Sequence, residues 1–144
     1  MSRIISYRGL LADGGQDTIN LHTNDGKTGY KVVKFEIMPQ DPGNNDTENI
    51  VKIYKLLQTA ATATIDFSDI TLIAAGFFLS GSATTRTYGT SVIFDNEIFN
   101  QDIYVTNVET TAAGSANYYI ELEQIDLTED QALVAIVKNL RNEQ

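Results

Sequence analysis

The chain has 144 residues, 42% of them hydrophobic, and a formal net charge of −9, which is enough apolar material for one self-sufficient domain over residues 1–144. It has no cysteine, which excludes a disulfide framework and a thiolate metal centre. No stretch approaches the roughly 18 consecutive apolar residues of a membrane span, and the first residues, MSRIISYR, lack the apolar run of a signal peptide, so the expectation is a soluble protein that does not engage a membrane.

In chain order, Ile4 to Leu11 forms a first apolar stretch that ends at Asp13-Gly14-Gly15, where two glycines permit a tight turn. A strand begins near Asp17 and is followed by Thr23-Asn24-Asp25-Gly26, whose Asp-Gly pair predicts a hairpin reversal. Tyr30 to Met38 alternates, with Val33, Phe35 and Ile37 on one face and Lys34 and Glu36 on the other, as in a sheet with one wet side. Pro39 and Pro42 bracket a break, and the polar run from Asp41 to Asp46 reads as an exposed loop. Within it, Asn45-Asp46-Thr47 matches the short N-glycosylation sequon.

Ile50 to Leu57 reads as a strand whose Lys52 and Lys55 suit a guarded sheet edge, and Thr62 to Phe67 as a further extended piece. Ser68-Asp69 should turn the chain into a buried strand through Phe77 and Phe78. Ser80 to Thr90, with two glycines and many Ser and Thr, reads as a long loop or loose ribbon. Three strands follow at Ser91 to Asp95, Asp102 to Thr106 and Asn117 to Ile125. About eight short antiparallel strands without intervening helices predict an all-β fold, a jelly roll or β-sandwich.

The pattern changes near residue 126. Thr128-Glu129-Asp130-Gln131 is a capping box, with two carboxylates at the positive end of the helix dipole. Leu133, Ile136, Val137 and Leu140 fall at i, i+3, i+4 and i+7, giving one apolar stripe on a C-terminal amphipathic helix over about 129–141. So short a helix is marginal alone, and burying the four side chains is worth on the order of 6–12 kcal/mol at most, so the stripe should dock on the domain or on a neighbouring subunit.

Chemistry is sparse. His22 is the single histidine and adjoins a turn, so neither a serine nor a cysteine triad has a second candidate base, and no Gly-rich run matches a phosphate-cradling loop. Asp95, Glu97 and Asp102 surround one turn and Asp66 and Asp69 another; either set could offer oxygen ligands to calcium, but local side-chain to backbone bonding of the turns accounts for them better. Asp95 with Asp102, or Glu121 with Glu123, could be drawn as a glycosidase pair, yet the chain has no tryptophan to line a sugar groove. No catalytic residue and no cofactor is therefore assigned. Between Tyr88 and Val137 there are nine Asp or Glu and no Lys or Arg, a surface that repels phosphates and argues against direct nucleic-acid binding.

Four segments, Tyr7 to Gly14 (YRGLLADG), Thr28 to Phe35 (TGYKVVKF), Ile93 to Tyr104 (IFDNEIFNQDIY) and Asn117 to Gln124 (NYYIELEQ), resemble small uncharacterised virion structural proteins of marine tailed bacteriophages, including cyanophage-like ones. The similarity spans nearly the whole chain and carries no catalytic residue. It implies a location in the virion and a non-enzymatic structural role. The expected role is a capsid decoration or cement module that is homo-oligomeric and held to capsid or other virion proteins by multivalent noncovalent contacts. A tail or neck component and a host-glycan-binding module are the alternatives.

Overall fold

Two-residue alternation sorts the side chains of eight strands onto the faces of two antiparallel sheets. The computed structural model describes residues 3–41, 47–80, 87–94, 96–111 and 114–142. The strands are β1 (Arg3–Leu11), β2 (Gln16–Ile19), β3 (Thr28–Pro39), β4 (Thr47–Tyr54), β5 (Leu72–Ser80), β6 (Thr87–Ile93), β7 (Ile103–Glu109) and β8 (Ala116–Asp126), followed by helix α1 (Glu129–Asn142). One sheet has the order β1-β8-β3 and the other β2-β7-β4-β5-β6. The expected β-sandwich with one C-terminal helix is the observed architecture.

The core lies between the sheets. Val32, Phe35, Tyr118, Ile120 and Leu122 of the three-stranded sheet meet Ile19, Val51, Ile53, Ile73, Ile103 and Val105 of the five-stranded one. The outer face of the three-stranded sheet is the wet side that alternation predicts, with Ser6, Glu121 and Lys34 in one cross-strand row and Arg8, Tyr119 and Glu36 in the next. The phase differs in the first half of β3. A register shift between Val32 and Lys34 places Tyr30 and Val32 inside and leaves Val33 half-buried, so the simple alternation holds only after the bulge.

Turn chemistry and strand pairing part company at Asp25-Gly26. Gly26 does adopt positive φ (66°), and Asp25 accepts the Lys27 N–H at 3.0 Å. The expected hairpin does not form, because β2 pairs with β7 and β3 with β8, and the connection crosses from one sheet to the other.

β4 departs most from expectation. It is a central strand, paired with β5 on one side and β7 on the other, and Lys52 is 0% exposed rather than an edge guard. Segment 55–71 folds over the outer face of the sheet, so the piece expected as a further strand, Thr62 to Phe67, is instead the cover for that lysine. The Lys52 ammonium donates to Thr62 Oγ1 at 2.9 Å and to the Thr64 carbonyl at 2.6 Å, and lies 5.3 Å from the Tyr54 ring centroid. Burial lowers its pKa, partly offset by Asp69. Lys55 donates to Glu97 Oε1 at 2.7 Å and thereby ties the same segment to the turn after β6.

Farther along, β6 starts earlier than the strand expected at Ser91, and residues 81–86 of the expected long loop, like the Asn45 of the sequon, lie outside the described residues. The connection from β7 to β8 is organised by Glu109, which accepts from the Glu48 N–H (2.8 Å), the Thr111 N–H (2.9 Å) and hydroxyl (2.6 Å), and the Gly114 N–H (3.1 Å). Burial raises its pKa, but these donors prevail and hold the carboxyl at about 2. Because the folded pKa lies below the unfolded one, the stabilisation is complete above the unfolded value and is lost as pH falls toward 2. Glu109→Gln is expected to lower stability at pH 7 by about 1–3 kcal/mol, and in urea melts the gap between the two proteins should close as pH falls from about 4.5 to about 2.

Candidate functional site

Helix α1 begins where the sequence places it. The Thr128 N–H donates to Gln131 Oε1 at 2.9 Å and the Gln131 N–H to Thr128 Oγ1 at 3.2 Å, closing the capping box in both directions. The domain itself takes in only part of the predicted stripe. Ala132 is buried and Ile136 half-buried, whereas Leu133 is 61% exposed and Val137 45%; the side chain of Leu140 lies outside the described residues.

The reason for this rotation lies beneath the helix. Buried Asn100 donates through Nδ2 to the Gly26 carbonyl at 2.9 Å and to the Ala132 carbonyl at 3.3 Å, which pulls the helix backbone onto the turn before β3. Only a small side chain fits at such a contact, so Ala132 faces inward. Leu127, whose N–H donates to the Lys27 carbonyl at 2.7 Å, fills the space over Gly29, where a Cβ would fall 2.9 Å from its side chain. Hydrophobicity alone favoured the leucine, and nothing in the local sequence pattern marked Asn100 as the anchor.

Leu133, Val134 and Val137 therefore form an exposed apolar stripe on α1. Beside it runs a groove of about 320 Å³ lined by Ile98, Leu127, Val134, Ala135 and Lys138. Ile98 is likewise exposed, so apolar surface continues from the helix onto the segment between β6 and β7.

The polar candidates are each engaged elsewhere. Asp102 Oδ1 accepts the Leu21 N–H at 2.8 Å and the His22 N–H at 3.0 Å, and lies 2.7 Å from His22 Nδ1. Burial raises the Asp102 pKa, but the His22 ring and the two backbone donors outweigh it and hold the carboxyl below its usual value. Glu97 faces Lys55, and Asp95 lies outside the described residues. Among the described residues no three metal-ligating side chains gather. Asp66 accepts the Ser68 N–H at 3.0 Å and hydroxyl at 2.6 Å, while Asp69 does the same for Thr71 at 2.9 and 2.6 Å, which is the turn bonding expected for them.

Glu121 accepts the Tyr119 hydroxyl at 2.7 Å and Glu123 pairs with Lys31 at 3.3 Å, so both face the wet side of the three-stranded sheet. At one end of that sheet, Arg8, Glu36, Asn117 and Tyr119 contribute to a groove of about 510 Å³. Tyr118, on the opposite face, donates its hydroxyl to Asp17 at 2.8 Å and so joins the two sheets. Burial and the Asp17 carboxylate both push its pKa upward.

No family model and no curated protein matches the chain. Among solved structures, it is similar to a chain of Bacillus endospore appendages, described as forming a novel family of disulfide-linked pili, with 11% identity, a TM-score of 0.34, and coverage of 89% of this chain and 92% of that one. A likeness that distant carries no argument about role.

The rotated helix gives paired expectations. Leu133→Ala should change the unfolding free energy of the domain by less than about 0.5 kcal/mol, as for other exposed positions. Ala132→Leu should cost about 1–3 kcal/mol by overpacking against the Gly26 turn. Urea denaturation of both variants checks the pair, and the reverse order would place the buried face where hydrophobicity alone predicts it.

Proposed function

We propose that the chain is a non-enzymatic structural protein of a phage virion, a repeated module that decorates or cements the capsid. The near full-length resemblance to virion proteins of marine tailed phages supports the setting. The observation that carries the mode of action is the exposed stripe of Leu133, Val134 and Val137 beside Ile98. An amphipathic helix that a domain anchors through Ala132 and Asn100 presents those side chains as a ready apolar contact for a virion protein.

Attachment at this stripe excludes water from a small area, so each copy contributes a weak contact and the particle sums many of them. The acidic stretch from Tyr88 to Val137 either faces solvent or meets a basic patch, and salt loosens attachment only in the second case. A neck or tail position uses the same surface at lower copy number. The groove at Arg8, Glu36, Asn117 and Tyr119 favours a second reading, a host-glycan module, because it combines an aromatic ring with polar groups of both signs.

Quantitative mass spectrometry of purified particles is the deciding measurement. Many copies per particle are expected, a few would indicate the neck or tail, and absence from particles would end the structural reading. Leu133→Ala should reduce incorporation while leaving the fold intact, whereas saturable binding of the lone domain to a glycan array would favour the second reading.

A further inference from the structure

Four strands form the open edges of the two sheets, and three of them are guarded. β1 carries Arg3 and Arg8, and β2 is only four residues long. β3 has Lys31, Lys34, a bulge and a terminal proline, and its Phe35 carbonyl accepts the Ser91 hydroxyl at 3.1 Å. These are the usual devices against stray strand pairing. β6, Thr-Tyr-Gly-Thr-Ser-Val-Ile, carries no charge and no proline and pairs with β5 without a register shift; among the described residues its one tie on that side is the Ser91 hydroxyl to the Phe35 carbonyl of β3.

The open side of β6 can be assigned residue by residue. The Phe94 N–H donates to the Ile73 carbonyl at 3.0 Å, so by alternation Tyr88, Thr90 and Val92 bond inward to β5. Thr87, Gly89, Ser91 and Ile93 turn their backbone N–H and C=O groups away from β5, to an edge where no strand pairs among the described residues. Tyr88 (56% exposed) and Val92 (40%) stand on the outer face of the sheet, with exposed Phe67 and Ile70 beyond the end of the strand, where the Phe67 ring meets Phe94 edge-on at 5.2 Å.

We propose that β6 pairs antiparallel with β6 of a second copy of this chain, about a two-fold axis at Thr90, joining two five-stranded sheets into one. The strand is complementary to itself in this register. Gly89 and Ser91 of opposite copies exchange backbone hydrogen bonds, as do Thr87 and Ile93, using all four edge-facing residues. On the outer face Tyr88 lies opposite Val92, an aromatic and β-branched pair of the favourable kind, and Thr90 faces itself. The self-complementary register selects the occupant and the absence of charge permits it: a copy of the same strand brings no like charges together although the chain carries −9 overall. Edge pairing buries only a modest area, so the backbone hydrogen bonds and the Tyr88–Val92 pairs carry the contact.

The pairing adds self-association to the proposed function but does not depend on where the protein sits. Counting copies in particles tests location, and the following experiment tests the pairing alone. Thr90 is exposed and its own neighbour across the axis, so Thr90→Lys and Thr90→Glu each oppose like charges, while a mixture of the two opposes unlike ones. In sedimentation velocity over a concentration series, the wild-type chain should dimerise, each variant should weaken dimerisation at least about tenfold, and the one-to-one mixture should restore it. Amide exchange should show Gly89 and Ser91 protected in the dimer and fast in either variant, with Thr90 and Val92 protected throughout. A wild-type chain that stays monomeric, a folded Thr90→Lys that dimerises undiminished, or a mixture that fails to recover would each overturn the proposal.

Discussion

Strand β4 is buried on both faces, and much of the architecture follows from that constraint. Its inner residues Val51 and Ile53 fill the sandwich, while Ile50, Lys52 and Tyr54 on the opposite side are nearly as inaccessible. The five-stranded sheet therefore has no wet face at its centre. Segment 55–71 must lie across it, and the two Lys52 hydrogen bonds to Thr62 and Thr64 fasten that cover. An ammonium without such acceptors would cost several kcal/mol at this depth, so the cover and the lysine require one another.

The cover extends only part of the way. It protects Tyr54, Leu72, Ala75 and Phe94, and leaves Tyr88 and Val92 on β6 exposed. In the three-stranded sheet the outer face is instead laced with Lys31, Lys34, Glu121 and Glu123, which need no cover. The two sheets thus meet solvent differently, and the apolar one ends in the unguarded strand. That asymmetry arises from side-chain chemistry, because both sheets are antiparallel and equally able to tolerate water on one side.

Much of this fold was legible in the sequence. Apolar stretches bounded by turn residues located β1, β3, β7 and β8 to within a few residues, and the capping box fixed the start of α1, because such signals are local. What failed depended on distant partners. Lys52 reads as an edge residue until β5 and β7 are known to flank β4, and Asp25-Gly26 reads as a hairpin until its flanking strands are found in different sheets. Which part of the helix stripe the domain itself takes in was likewise not legible: Asn100, thirty-two residues away from Ala132, decides which face turns inward. Asp66 and Asp69 were legible as turn formers, since an Asp that bonds a backbone N–H two residues on needs no remote partner, whereas Asp102 bonds Leu21 and His22 some eighty residues away. The virion setting rests on resemblance, which no side-chain geometry replaces.

The helix stripe and the β6 edge are chemically different surfaces and suit different partners. An edge offers fixed hydrogen-bond spacing, so it selects another strand in one register, whereas an apolar stripe adapts to whatever groove will accept it. Pairing through β6 would give each dimer two helix stripes, one from each copy. Once one stripe docks, the second searches only the volume its partner allows, and weak contacts multiply into lasting attachment without any new interaction at either stripe. The gain exists only where docking sites recur at the spacing the dimer imposes, which is a property of a regular lattice and not of a lone protein. If both proposals hold, one self-complementary edge and one adaptable stripe together would match this domain to a repetitive surface.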